Sequence, residues 1–168
     1  MKAREILTHA QVSILLACDR DTGQLTWLVN RGRLAKAGDV AGRLDKTYGY
    51  VIIKVHCQAY KAHRVVWLLM TGAWPDKFLD HIDGNRANNR FENLREATKA
   101  QNQQNRYKAN SNNVSGCLGV TWNKRDDVWQ SRIMIDKKSI NLGSFKTLDE
   151  AKTAYLLSKR KMHDFGCI

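Results

Sequence analysis

The apolar residues of this chain come in short runs, and the longest unbroken one is Val65 to Met70. A membrane-spanning helix requires about 20 predominantly apolar residues, so no such helix is expected. A fold built on long buried strands is equally disfavoured, and the punctuation between the runs points to many small elements. Gln24–Val29, the glycine-containing segment Gly32–Gly42 and Tyr48–Val55 read as a strand meander in an N-terminal β-rich segment, residues 1–60. From His63 the pattern becomes helical through Thr71 and stops at Gly72, with Pro75, the single proline, just beyond. Residues 103–116 carry almost nothing apolar and mark a linker, bounded at 106–114. Beyond it, Gly119–Trp122, Val128–Ile135 and Lys138–Gly143 predict three short antiparallel strands joined at Lys124–Asp127 and Asp136–Lys137. Thr147 with Glu150 forms a capping box, and Leu148, Ala151, Ala154, Tyr155 and Met162 follow at helical spacing, so the chain is expected to close on an amphipathic helix over that sheet. The fold class is α+β.

Hydrophobic residues make up 43% of the 168 and charged residues 26%, the profile of a folded globular chain. The formal charge is +12, with 16 basic against 10 acidic residues up to Asn102 and 12 against 6 beyond it. Positive charge spread over the whole length suits a body that docks on a polyanion, of which nucleic acid is the commonest. Cys18, Cys57, Cys117 and Cys167 form no CxxC pair and have no histidine at zinc-finger spacing, so neither a disulfide scaffold nor a structural zinc is indicated. Leu15-Leu16-Ala17-Cys18 spells a lipoprotein-style cleavage site, but His9, Gln11 and Ser13 break the apolar stretch it needs, and a reducing cytoplasm is expected.

The informative stretch is Asp80 to Asn102. An adjacent Asp-His pair in extended backbone sends its side chains to opposite sides, so Asp80 can bind metal while His81 faces a substrate water. Asp83-Gly84-Asn85 is a turn signal, and Thr98 with Gln101 is a second capping box that starts a helix carrying Asn102. A hairpin followed by that helix would gather Asp80, His81 and Asn102 around one point. Imidazole titrates near neutrality and its neutral form can take a proton from water. Carboxylate and amide oxygens are hard donors suited to Mg²⁺ or Mn²⁺.

These residues resemble the HNH endonucleases of phages and mobile elements. The matching text is His63-Arg64-Val65-Val66, Asp80-His81-Ile82-Asp83-Gly84-Asn85, Asn88-Asn89, Glu92-Asn93-Leu94-Arg95 and Gln101-Asn102, over about residues 48 to 105. The resemblance implies a ββα-metal nuclease core at residues 61–105, with Asp80 a metal ligand, His81 the general base, Asn93 bracing the hairpin and Asn102 completing the metal site in a position that is His or Asn in the family. It also implies a divalent metal cofactor, Mg²⁺ or Mn²⁺. Arg64, Arg86, Arg90 and Arg95, in and beside these motifs, are expected to contact DNA. His63 is given a structural or DNA-backbone role, and His9, His56 and His163 are read as ordinary residues.

Residues 115–168 carry a second resemblance. Ser115-Gly116, Gly119–Trp122, Trp129–Ile133, Leu142–Phe145 and Glu150–Tyr155 are similar to the Apetala-type, or ethylene-response-factor, DNA-binding domain. That family reads the major groove with a three-stranded sheet, which implies DNA contacts at Thr121, Asn123, Arg132, Ser139 and Asn141, with Met134 on the same strands. Lys124, Arg125, Lys137 and Lys138 in the turns are expected to meet phosphates.

Together these features predict a metal-dependent endonuclease of mobile-element type that acts as a monomer on double-stranded DNA, a dimer being the alternative, and nicks one strand per event in the cytoplasm of a bacterial host. The competing readings are a non-cleaving DNA-binding regulator that uses the C-terminal sheet, and a nuclease for RNA or for DNA of any sequence.

Overall fold

The computed structural model describes residues 7–33, 35–106, 109–110, 112–135 and 137–163. The fold is mixed α and β with several small sheets, divided into two compact units, Met1–Ala97 and Thr98–Ile168. The division falls ahead of the expected linker at 106–114. Its physical reason is a buried cation: Lys159, 2% exposed, donates from Nζ to the Arg106 carbonyl at 2.6 Å and so ties the chain that follows Asn102 to the second unit. Part of the expected linker is itself ordered, since Asn113 and Ser115 hydrogen-bond to the backbone of Cys117 and Val120. Asp136, Cys167 and the end of the C-terminal segment lie outside the described residues.

The first unit starts with a short helix, α1 (His9–Ser13), whose capping box is Thr8 with Gln11. The Leu15–Cys18 text that mimics a cleavage site is instead strand β1 (Leu16–Cys18), paired antiparallel with β2 (Leu25–Trp27). A second small sheet has the order β3 (Arg43–Leu44), β4 (Val51–Val55), β5 (Gln58–Lys61). Between β4 and β5 the hairpin turn puts His56 at φ 47° and Cys57 at φ 61°, a left-handed pair that side chains rarely adopt. Helix α2 (Ala62–Thr71) follows directly and ends on left-handed Gly72, as its sequence predicts. Its buried face, Val65, Val66 and Leu68, packs with Val12, Leu16, Leu25, Ile53 and Val55 in one core. Full burial of each such side chain contributes about 1.5–3 kcal/mol. The unit closes with the hairpin of β6 (Phe78–His81) and β7 (Leu94–Ala97).

The second unit has helix α3 (Lys99–Gln104), then the antiparallel sheet β8 (Val120–Asn123), β9 (Val128–Ile135), β10 (Lys138–Phe145), then α4 (Leu148–Met162). The capping boxes at Thr98 and Thr147 are both formed. α4 differs from expectation at its far end. Ala151 and Lys159 are buried and Tyr155 half-buried, while Met162 is 39% exposed. The Lys159 stem takes the seam position because its ammonium reaches a carbonyl beyond it.

Candidate active site

The β6–β7 register sets the site. Asp80 stands directly across from Arg95, and His81 across from Leu94. Cross-strand partners share a face, so the Arg95 guanidinium meets the Asp80 carboxylate, with Nη2 at 3.1 Å and Nε at 3.2 Å from Oδ2. Asp80 and His81 are 5% and 4% exposed. As successive residues of a strand they leave β6 on opposite sides.

The twelve residues from Ile82 to Asn93 would be an unbraced loop but for their amides. Asn93 accepts from the Asp83 N–H at 3.0 Å and donates to the Asp83 carboxylate and the Asn88 carbonyl, both at 2.9 Å. Asn88 donates to the other Asp83 oxygen at 2.7 Å, and the Asn85 N–H to the first at 2.8 Å. Burial pushes the Asp83 carboxyl up, but these donors outweigh it and hold the group below the usual carboxylate range. The loop so tied carries buried Asn89 back to His81, with Nε2 3.3 Å from Asn89 Oδ1. At Gly23 the chain runs so close to Asn89 that a Cβ there would collide with the Asn89 carbonyl and the Arg90 N–H, and φ is +67°.

Around His81 lies a ring cluster. His63 packs edge-on with ring centroids 4.9 Å apart, and Tyr50 lies 5.3 Å from His63 and 6.1 Å from His81. Lys61 Nζ stands 4.0 Å and Arg86 Cζ 4.9 Å from the Tyr50 ring centre. Burial pulls the His63 imidazolium down to about 3, with His81, Lys61 and Arg64 adding to the effect. Burial also lowers His81. The Asn89 hydrogen bond and Asp83 and Asp80 act in the opposite sense, while Arg86 lowers it further. Both imidazoles are therefore neutral at pH 7.

A family model described as HNH endonuclease matches residues 60–104. Protein 3.8 of Escherichia phage T7 is 33% identical over 114 residues, which cover 66% of this chain and 93% of that protein. The chain belongs to the HNH endonuclease family. No solved structure matches it.

In this HNH-family chain the matched stretch takes in β5 from Tyr60, α2, the β6–β7 hairpin and α3. Of the residues singled out from the sequence, Asp80, His81, Asn93 and Arg95 come together on the hairpin. Arg86 donates to the Tyr48 carbonyl at 3.0 Å and Arg64 lies over the Trp74 ring at 5.6 Å, while Arg90 is exposed beside the 3₁₀ turn Phe91–Asn93. Asn102 belongs to the second unit, on α3, where it is half-buried. Sequence reasoning gave His63 a structural or DNA-backbone role and gave no site role to Tyr50, Asp83 or Asn89. The signal for Asp83 was available, because carboxylate and amide residues at positions 83, 85 and 88 form the chain of turn bonds such residues favour. Nothing local marks Tyr50, which reaches the site only through the fold of β4.

In the second unit the strand register places Thr121, Gln130, Arg132, Asn141, Met134 and Ser139 on one face of the sheet, with Asn123 at its end. Asn123 is occupied by its own turn, bonding Asp126 at 2.7 Å and the Arg125 N–H at 3.0 Å. Lys124, Arg125 and Lys138 are exposed, and Lys138 projects to the opposite face from Ser139.

Proposed function

We propose that the protein is a metal-dependent DNA endonuclease that hydrolyses phosphodiester bonds of double-stranded DNA, nicking one strand per event, and that residues 61–105 form its ββα-metal core with residues 115–168 as a DNA-binding module. The observation that carries the reading is the neutral, buried His81. Its Nε2 faces an amide oxygen, which can only accept, so Nε2 holds the hydrogen and Nδ1 is the nitrogen able to take a proton from water. Asn89, braced through Asn93 and Asp83, fixes that tautomer.

The donor set suits a divalent ion. Asp80 is a buried carboxylate that already draws a cation, the Arg95 guanidinium, to its Oδ2. Among the described residues no three His, Cys, Asp or Glu side chains gather at one point. Mg²⁺ keeps several waters and takes substrate phosphate oxygens as ligands, so it is bound through one or two protein carboxylates. The order of the motif, as read from the sequence, makes Asp80 and Asn102 the proposed ligands of Mg²⁺ or Mn²⁺. When bound, the ion neutralises charge on the phosphate and the leaving oxygen. Arg95, which holds Asp80 in the structure, and Arg64, Arg86 and Arg90 are the cations of the first unit that would contact DNA phosphates. The phage-encoded relative supports action inside a bacterial host, and no helix among the described residues is long and apolar enough to cross a membrane.

The test is incubation of purified protein with supercoiled plasmid and Mg²⁺ or Mn²⁺, alongside a chelator control and RNA and single-stranded substrates. Open-circle product that needs the metal and is lost in His81→Ala is expected. Metal-independent cleavage would overturn the metal, and no cleavage of any substrate while duplex is still bound would replace the nuclease with the DNA-binding regulator.

A further inference from the structure

The second unit contains a groove of about 980 Å³ in which Arg132 and Lys137, already expected to contact DNA, are joined by Lys99 and Arg106, which no motif accounts for. It is lined by four cations from separate parts of the chain: Lys99 opens α3, Arg106 follows α3, Arg132 is in β9 and Lys137 lies in the β9–β10 turn. Among the described residues no carboxylate lines it. Among the described residues none of the four makes an ion pair, although Arg106 and Arg132 donate to the side chains of Asn110 and Gln130. All four are exposed. A fifth positive charge lies in the same unit, because buried Lys159 is anchored on the carbonyl of Arg106 itself. Tyr155 forms part of the wall, with its ring close against Gly119, where a Cβ would run into it.

Unneutralised cations that share one concave surface repel each other, and a low-dielectric wall focuses their field on whatever enters. Four cations lining a groove of about 980 Å³ are more than one small anion can meet, whereas a series of phosphates can meet them all. We propose that this groove seats the phosphodiester backbone of DNA, extending the exposed β8–β10 face from Arg132 and Met134 to Lys99 and Arg106 around α3. The choice of DNA over other polyanions rests on the nuclease reading.

Lys99→Gln/Arg106→Gln/Lys137→Gln removes three charges at exposed positions and leaves the sheet-face residues intact. Arg43→Gln/Lys46→Gln/Lys54→Gln removes three exposed charges from the first unit as a control. Affinity for duplex is measured in chelator over a salt series, so that no cleavage interferes. Each phosphate contact contributes about 0.9 to the slope of log affinity against log salt. The groove variant should lose about 2–3 from that slope and at least about tenfold in affinity at 0.1 M salt, while the control stays within about threefold of wild type. Equal slopes, or an equal loss in both variants, overturns the groove. A second measurement needs no variant: bound duplex should protect Lys99 and Lys137 from acetylation, and unchanged labelling overturns the proposal. Tighter binding to anionic lipid vesicles than to duplex, lost in the groove variant, likewise overturns it in favour of a membrane surface. Plasmid cleavage is scored separately. Intact cleavage with equal slopes sinks the groove alone, and a slope difference without any cleavage sinks the nuclease alone.

Discussion

Replacing Asn93 with alanine removes three hydrogen bonds at once: to the Asp83 N–H, the Asp83 carboxylate and the Asn88 carbonyl. Neutral bonds contribute about 1 kcal/mol each and a bond to a charged group about 1.5–3, so the gross loss is about 4 kcal/mol. Asp83 is exposed and water re-solvates its carboxylate, whereas Asn88 is half-buried, so the net cost falls to about 2 kcal/mol. For a unit of this size that lowers the unfolding midpoint by about 8–16 °C, readable by calorimetry. The pH dependence adds a sign. The Asp83 carboxyl is depressed in the fold, so its share of stability is present above the unfolded value of about 3.9 and is lost as pH falls through the folded value. The gap between wild type and Asn93→Ala should therefore narrow below about pH 4. Asn93→Asp sets a second carboxylate against Asp83 where the amide donor stood 2.9 Å away, and should be worse than alanine at pH 7 but recover as acid protonates the pair. A loss under about 0.5 kcal/mol at pH 7, or an aspartate variant no worse than alanine there, would refute the brace.

His81→Ala should cost about 10²- to 10⁴-fold in single-turnover cleavage with duplex affinity nearly intact, because the imidazole moves a proton and does not hold the substrate. Asp80→Asn and Asn102→Ala should each weaken Mn²⁺ binding by calorimetry, and unchanged binding in both would place the ion elsewhere. His63 is neutral in the fold down to about pH 3 but takes a proton at about 6.5 when unfolded, so stability drops by up to about 1.4 kcal/mol per pH unit between those values; His63→Leu should flatten that limb in a pH series of urea midpoints. His56→Asn with Cys57→Gly should raise the midpoint, since Asn-Gly fits the left-handed pair at φ 47° and 61° with about 1 kcal/mol less strain.

Much of the fold is legible in the amino-acid order because its signals are local. Gly72 after an apolar helix, and Thr-x-x-Gln or Thr-x-x-Glu before one, act within a single turn, and α2 stops, and α3 and α4 start, where those residues say. Runs such as Val128–Ile135 declare strands by composition. Leu16–Cys18 was ambiguous because a three-residue strand has too short a period to read, and only pairing with β2 defines it. In the site, Asp80, His81 and Asn93 are legible through an ordered motif. His63 and Tyr50 are not, because they reach His81 through the tertiary placement of α2 and β4. Lys159 was invisible for the opposite reason: its seat depends on one carbonyl, Arg106, far off in sequence.

Gly23 has a consequence for anyone who would cut and splice this protein. The HNH stretch at residues 60–104 looks like a portable cassette, yet its loop at Asn89 and Arg90 is in backbone contact with a turn that belongs to the N-terminal ribbon. Transplanted alone, the stretch would leave behind the surface on which Asn89 rests, and with it the alignment of the His81 ring. A chimera that exchanges nuclease cores between relatives therefore needs its junction upstream of Asp19, where the turn leading to Gly23 begins. The N-terminal ribbon is a fixture of the cutting tool and not a handle attached to it.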